Sequence, residues 1–282
     1  MTINENTLKV GDLEWFYREV NPAETDKIPI LLLHGLVSQS YSWTLVLEGL
    51  AAQGYRAIAP DWIGSGFSQI PEKREFDYTP DSFINALAEL IQALELQSFH
   101  LIVQGFLGSV GLQYALRYPQ QIERLIILNT PITAPVKLPW KIQQMGLPFV
   151  GDMMTQDPLL VDRTLEGGSG FVIEDQDLDV YRRPFLKSSA AGRALMAVIK
   201  NLQLKSVVPE IEAGLKTWKN PVQIIWGMGD PWLRAEPIQV LVQSMPQAEF
   251  VKLEDAKHYP QNHWPKEINE SIIFFLRKQA IS

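Results

Sequence analysis

Three widely separated places in the chain carry residues suited to chemistry. Asp230 ends the run Trp226-Gly227-Met228-Gly229-Asp230, directly after an apolar stretch, and His258 lies in Asp255-Ala256-Lys257-His258-Tyr259-Pro260 after the next one. An Asp in one loop can orient a His in another: the carboxylate fixes the imidazole tautomer and stabilises the imidazolium, so the His serves as a general base. Taken singly, each residue has a plainer reading, a turn-capping Asp and a surface His; the pair is the expectation. The third place is Ile102-Val103-Gln104-Gly105-Phe106-Leu107-Gly108-Ser109, where an apolar strand-like run meets a helix-like one through a glycine. Ligands of open parallel sheets bind beyond the carboxyl end of such a strand, and a nucleophile held on a strained strand-to-helix turn would sit at its tip. Here the tip is Gly105, which has no side chain.

His34-Gly35 follows the first buried run and has a different task. Gly35 lets the backbone turn tightly, so that the N–H of Leu36 can point at the tip; with the N–H of Phe106 it would form a two-donor oxyanion hole. His34, read as structural, and Gln104 would border the same pocket. Ser109 lies one turn into the helix and is read as a small packing residue, and no G-x-S-x-G occurs in the chain. Gly64-x-Gly66 after a strand lacks the third glycine and the helix of a dinucleotide site.

Composition narrows the classes. With 46% hydrophobic and 20% charged residues the chain is an ordinary globular protein. Its 282 residues suit one core carrying an insertion. A net charge of -7 argues against a nucleic-acid surface. No apolar run approaches the roughly 18 residues of a membrane span, and the first residues have neither the basic head nor the apolar stretch of a signal peptide; a cytoplasmic location is the expectation. The absence of cysteine excludes disulfides and a thiol nucleophile. The four histidines, His34, His100, His258 and His263, show no metal-binding spacing. Neither a metal nor a cofactor is expected.

The elements that must position these residues read as alternating strands and helices. Gly11-Asp12 between two strand-like runs predicts an opening hairpin. The continuous apolar run at 28–33 predicts a strand covered on both faces, 125–128 reads as another buried strand, and 56–61, 99–103, 221–227 and 248–253 read as further strands. Helices are expected at 41–53, at 80–94 behind the Thr79-Pro80 start, at 106–118 and at 266–278. Strand and helix in alternation imply a parallel sheet with right-handed crossovers. From Pro131 to about residue 205 no convincing strand run occurs. That stretch is read as a helical cap on a core of residues 1–130 and 206–282, with Trp140, Phe149, Met153, Phe171 and Phe185 as candidate walls of the pocket.

The order tip, Asp, His, with these motifs, resembles the α/β-hydrolase superfamily, and within it the haloalkane dehalogenases and epoxide hydrolases. The resemblance rests on His34-Gly35 with Ser40-Tyr41-Ser42-Trp43, Pro60-Asp61 with Gly64, Gly66 and Ser68, Asp77-Tyr78-Thr79, Val103-Gln104, residues 125–129, Gly227 with Asp230, and His258. It implies a mostly parallel eight-stranded sheet with flanking helices and an inserted cap. In the family a proline closes the helix after the nucleophile, and Pro119 fits a tip at Gly105. Three positions depart: the nucleophilic Asp is Gly105, the Trp after it is Phe106, and the halide-binding residue after His-Gly is Leu36. Dehalogenation needs a carboxylate at the tip and donors for the halide, so it is not expected. Two readings follow. Either His258, oriented by Asp230, performs acid–base chemistry on a small, mostly apolar molecule with one polar end, without a covalent intermediate, or the chain is a silent ligand-binding or regulatory protein. The oligomeric state is open.

Overall fold

The computed structural model describes residues 2–23 and 25–278. Among these, eight strands form one sheet: β1 (Asn4–Val10), β2 (Leu13–Val20), β3 (Ile30–Leu33), β4 (Ala57–Pro60), β5 (Phe99–Gln104), β6 (Ile122–Leu128), β7 (Val222–Gly227) and β8 (Ala248–Leu253). Their order is β1-β2-β4-β3-β5-β6-β7-β8. The first two strands pair antiparallel around Gly11, and β2 meets β4 antiparallel; all later neighbours are parallel. This is the α/β-hydrolase arrangement expected from the sequence.

Helices cover both faces. α1 (Thr44–Ala52) and α12 (Pro265–Arg277) lie on one face, and α2 (Pro80–Ala93), α3 (Gly108–Arg117), α9 (Leu204–Thr217) and α10 (Ala235–Gln243) on the other. The strand alternation explains the division. Leu31, Leu33, Leu101, Val103, Leu125 and Ile127 point into one apolar cluster, and Ile30, Leu32, Ile102, Ile126 and Leu128 into the second. A strand buried on both faces can carry no polar alternation, hence the continuous apolar runs. Thr79 caps α2 by accepting the Ser82 N–H at 3.3 Å, with Pro80 at its first position. Gly111 brings α3 onto the sheet: a Cβ there would fall 2.7 Å from both Leu33 and Val103 side chains.

Between β6 and α9 the described chain contains no strand, only helices joined by irregular segments: α4 (Trp140–Met145), α5 (Val150–Met154), α6 (Leu160–Ser169), α7 (Asp175–Lys187) and α8 (Ser189–Asn201). Arg182 on α7 reaches Asp162 on α6 with two donors, at 2.8 and 2.6 Å, and also contacts Asp175 and Asp179. The division expected at residue 205 falls inside α9, which packs on α3 with the core. The short α11 (Pro260–His263) precedes α12, and the start of the helix expected at 41–53 is a 3-10 turn over Ser40–Trp43. Among the described residues no helix is long and apolar enough to cross a membrane.

His100, on β5, is buried with its Nδ1 unpartnered, and burial, with Arg124 nearby, lowers its pKa to about 4. Because the folded value lies below the free one, the unfolded chain binds the extra proton. Stability is therefore full above about pH 6.5 and falls as pH drops towards 4, by on the order of 3 kcal/mol from this residue. Urea unfolding of the protein and of His100→Leu at pH 7 and pH 4.5, values chosen about this window, should show a smaller acid loss in the variant. Equal losses would contradict this.

Candidate active site

Strand β5 ends at Gln104, α3 starts at Gly108, and between them Gly105 holds a φ of +70°. That left-handed turn is easy for glycine and strained for other residues. The turn is pinned by the Gly105 N–H to Leu128 O (3.3 Å) and the Gly108 N–H to Gly105 O (3.0 Å). A Cβ on Gly105 would lie 3.0 Å from the Cα of Gly35 and 3.4 Å from Nε2 of His258. The loop after β3, the β5–α3 turn and His258 thus converge on one point. Gly35 has equally little space, since a Cβ there would stand 2.7 Å from Gln104 Oε1.

Nδ1 of His258 is 2.8 Å from Oδ2 of Asp230, and both side chains are fully buried. Asp230 is held by three further donors: Trp232 N–H (2.7 Å) and Leu233 N–H (3.0 Å) on Oδ1, and Asn129 Nδ2 (2.8 Å) on Oδ2. These partners fix the carboxylate in orientation. The bond from Asp230 places the imidazole proton on Nδ1 and leaves the Nε2 lone pair facing Gly105. The His258 backbone is tied down as well, its N–H donating to Gly168 O (3.1 Å) and its carbonyl accepting from Gln104 Nε2 (2.6 Å). Phe106 stacks on the imidazole with centroids 5.4 Å apart, and Trp232 lies at 4.5 Å.

His34 faces the loop and not the tip. The Trp62 N–H donates to its Nε2 at 3.1 Å, so Nδ1 carries the proton and donates to Gly35 O at 2.8 Å. Burial lowers its pKa and keeps it neutral. It therefore shapes the turn that presents Leu36. Asp61 supports the same region, accepting the Ser40 N–H (2.6 Å) and the Phe67 N–H (2.8 Å). Among the described residues, the N–H groups of Leu36 and Phe106 have no protein acceptor. Ser109 spends its hydroxyl on Phe106 O at 2.7 Å.

Leu36 also borders a small cavity. Its volume is about 20 Å³, and it lies between Leu36, Leu107 and, from the helical segment, Tyr181, Pro184, Phe185, Leu195 and Val198; it has room for about one water. Between Gly105 and His258 Nε2 there is only the space that a first side-chain carbon would take. Of the candidate walls only Phe185 lines this cavity. Trp140, Phe149 and Met153 are 67, 88 and 72% exposed, and Phe171 is half-exposed and stacks on His263 at 4.5 Å. The reason is register: α4 buries Ile142 and Met145, and α5 buries only Gly151. A groove of about 1180 Å³ around Lys27, His100, Arg124 and Trp218 contains none of the candidate site residues. Asn129 and Trp232 were not singled out in the sequence. Asn129 sits at a φ of +36° where β6 ends, and an Asn closing a buried strand was the signal available.

A buried His–Asp pair thus lies at the carboxyl ends of parallel strands, facing a strand-to-helix turn. A family model described as the alpha/beta hydrolase fold matches residues 28–262, and the chain belongs to that family. It is similar to "Lipase 1" of Psychrobacter immobilis, 26% identical over 92% of this chain and 79% of the lipase. A cis-3-alkyl-4-alkyloxetan-2-one decarboxylase of Shewanella oneidensis is 28% identical over 82% of this chain and 76% of the decarboxylase. In fold it is similar to an ancestral haloalkane dehalogenase (TM-score 0.86, 22% identity, 96% of this chain and 98% of the other). The haloalkane dehalogenase of Bradyrhizobium elkanii is comparable (TM-score 0.85, 21% identity, 98% of each chain).

Two glycine substitutions separate strain from helix propensity. Gly105→Ala should destabilise by about 1–3 kcal/mol, through the positive φ and the contact with Gly35. Gly167→Ala, in α6 with open space around the added carbon, should stabilise by about 0.5–1 kcal/mol. Urea titrations of the two variants check this, and a neutral Gly105→Ala would contradict the turn geometry.

Proposed function

We propose that Gly105 stands where members of this family carry their nucleophile, and that the protein acts on a small, mostly apolar molecule with one polar end through the His258–Asp230 pair, without a covalent intermediate. The observation that carries this reading is the buried 2.8 Å pair with Nε2 aimed at the space a Gly105 side chain would fill. On this reading a carbonyl oxygen of the ligand accepts from the Leu36 and Phe106 N–H groups, and a water takes the place of the missing side chain. His258 Nε2 removes a proton from the water as its oxygen bonds to the carbonyl carbon. The carbonyl electron pair moves onto the oxygen between the two N–H donors, which stabilise it. When the tetrahedral species collapses, the imidazolium returns the proton to the departing oxygen. In a ligand with an acidic C–H, the same base would instead remove that proton.

The apolar surroundings of Phe106, Trp232 and Leu107 favour such a ligand. The oxetan-2-one named for the Shewanella relative is a molecule of that kind, alkyl groups around one carbonyl. Gly105, Leu36 and Phe106 offer no side-chain carboxylate or halide donor, which disfavours dehalogenation. The segment from residue 131 to α9 serves as the cap, and a cytoplasmic location belongs to the same reading. A second reading, a silent ligand-binding protein, is favoured by Gly105 itself, which supplies no nucleophile.

Assays on an activated ester, an epoxide and a bromoalkane decide between the two. The native protein should turn over the ester slowly, because losing a triad nucleophile costs on the order of 10⁴ to 10⁶ in rate and leaves about 10³ over water. His258→Phe should abolish that residue of activity. Gly105→Asp should gain epoxide opening before dehalogenation. An unchanged rate in His258→Phe, with an inert but folded Gly105→Asp, would establish the binding protein.

A further inference from the structure

Away from His258, a second cavity of about 270 Å³ opens where the helical segment meets the core, well above the ~30 Å³ share of one water. Three pieces of chain enclose it: the 3-10 turn at Ser40–Trp43 with the start of α1, the α6–α7 connection with α7 itself, and α11. Neither Gly105, Leu36 nor His258 lines it. The single wall it shares with the small cavity near Leu36 is Tyr181.

The walls hold polar atoms that no protein group satisfies. Gln261 is fully buried, and among the described residues neither its amide oxygen nor its amide nitrogen has a partner. The Ser42 hydroxyl, Asn262 Oδ1 and His263 Nε2 are buried and unpartnered as well. Folded proteins leave few such groups, so their collection around one cavity marks a place built to hold a molecule. Asn262 presents its oxygen, because its Nδ2 donates to the Tyr181 hydroxyl at 3.4 Å. Gln261 presents both a donor and an acceptor.

Charge selects the occupant. The charged side chains that line the cavity are the exposed Glu174 and the half-buried Asp177, with no lysine or arginine among them. Arg18, over the Tyr41 ring at 5.3 Å, is paired with Glu5 at 2.7 Å, and Arg182 is spent on Asp162, Asp175 and Asp179. Burial lowers the pKa of His263, so that ring adds no positive charge. Asp177 accepts the Tyr41 hydroxyl at 2.7 Å, which holds its carboxylate beside Tyr41 and Tyr181, two rings with centroids 5.5 Å apart. A carboxylate next to aromatic faces attracts an organic cation. A bare metal ion matches less well, since among the described residues no three His, Asp or Glu side chains gather into a ligand set. The Gln261 amide calls in addition for a group that both donates and accepts, as a hydroxyl does.

We propose that this cavity binds a small primary amine that also carries a hydroxyl group, with the ammonium at Asp177 and Glu174 and the hydroxyl at Gln261. The binding is independent of the chemistry assigned to His258.

The experiment titrates the full chain with aminopropanol by calorimetry at fixed ionic strength. Propanediol lacks the charge, hydroxypropionate inverts it, and propylamine lacks the hydroxyl. Aminopropanol should bind saturably, propanediol and propylamine should bind about tenfold more weakly or worse, and hydroxypropionate should not bind. Asp177→Asn, which keeps an oxygen for the Tyr41 hydroxyl, and Gln261→Leu, which keeps the volume, should each weaken aminopropanol by on the order of tenfold while leaving the thermal transition in place. If either variant fails to fold, Glu174→Gln, at an exposed position, should show the same weakening. His258→Phe should bind as the native protein does, so failure of the proposed chemistry and failure of this site remain separate results. A folded native protein that binds no aminopropanol overturns the proposal. So does binding that survives unchanged in the folded variants, or that potassium ions displace as well as propylamine does, which would make an inorganic cation the occupant.

Discussion

The site depends on two glycine backbones in near contact. Gly35 and Gly105 lie so close that a Cβ on either would fall 3.0 Å from the other's Cα. Any larger residue at Gly35 would push the loop after β3 away from the β5–α3 turn. That separation would part the loop that carries Leu36 from the turn that carries Phe106. The approach is possible because β3 and β5 are adjacent parallel strands, paired from Ile30 with His100 to Leu33 with Val103. Both chains therefore leave the sheet at the same height and turn over the same edge.

The second constraint is electrostatic. A carboxylate with no exposure is tolerable only when donors surround it, and Asp230 has three besides His258. Asn129 joins the two halves of this arrangement, since its Oδ1 accepts the Gly227 N–H at 2.8 Å while its Nδ2 donates to Asp230. The ends of β6 and β7 are thereby locked to the carboxylate, and through it to the imidazole. Such a network is rigid, and a buried pair held in this way does not need a ligand to assume its geometry.

Much of this could be read from the residue order because the relevant signals are local and strong. Continuous apolar runs announce doubly covered strands, Thr79-Pro80 announces a helix start, and glycine at a strand-to-helix junction announces a positive φ. Asp230 and His258 each follow a strand, and parallel strands place such loops at one edge. What was not legible depends on a tertiary choice. α4 and α5 have one or two turns each, too few for a periodicity that tells inside from outside, so Trp140, Phe149 and Met153 looked like pocket walls. Pro209 within α9 and Pro237 within α10 break the helical pattern, because proline in a first turn or at a tolerated bend reads in sequence like a stop. Asn129 gains its role from residues about a hundred positions away, and nothing near it in the chain points to them.

The Arg182 cluster has a mechanical consequence. A guanidinium that grips Asp162 with a two-donor fork and touches Asp175 and Asp179 joins α6 to α7, and Asp162 is itself largely shielded from water. Separating the helices would leave the guanidinium without its two-donor partner and Asp162 without its counter-charge. The two helices are therefore joined as one plate, whose parts cannot separate without exposing a partly buried ion pair. Tyr181 and Phe185, which border the small cavity beside Leu36, lie on that plate, so the cavity's outer wall is fastened to α6 through Arg182 and not through the side chains around His258.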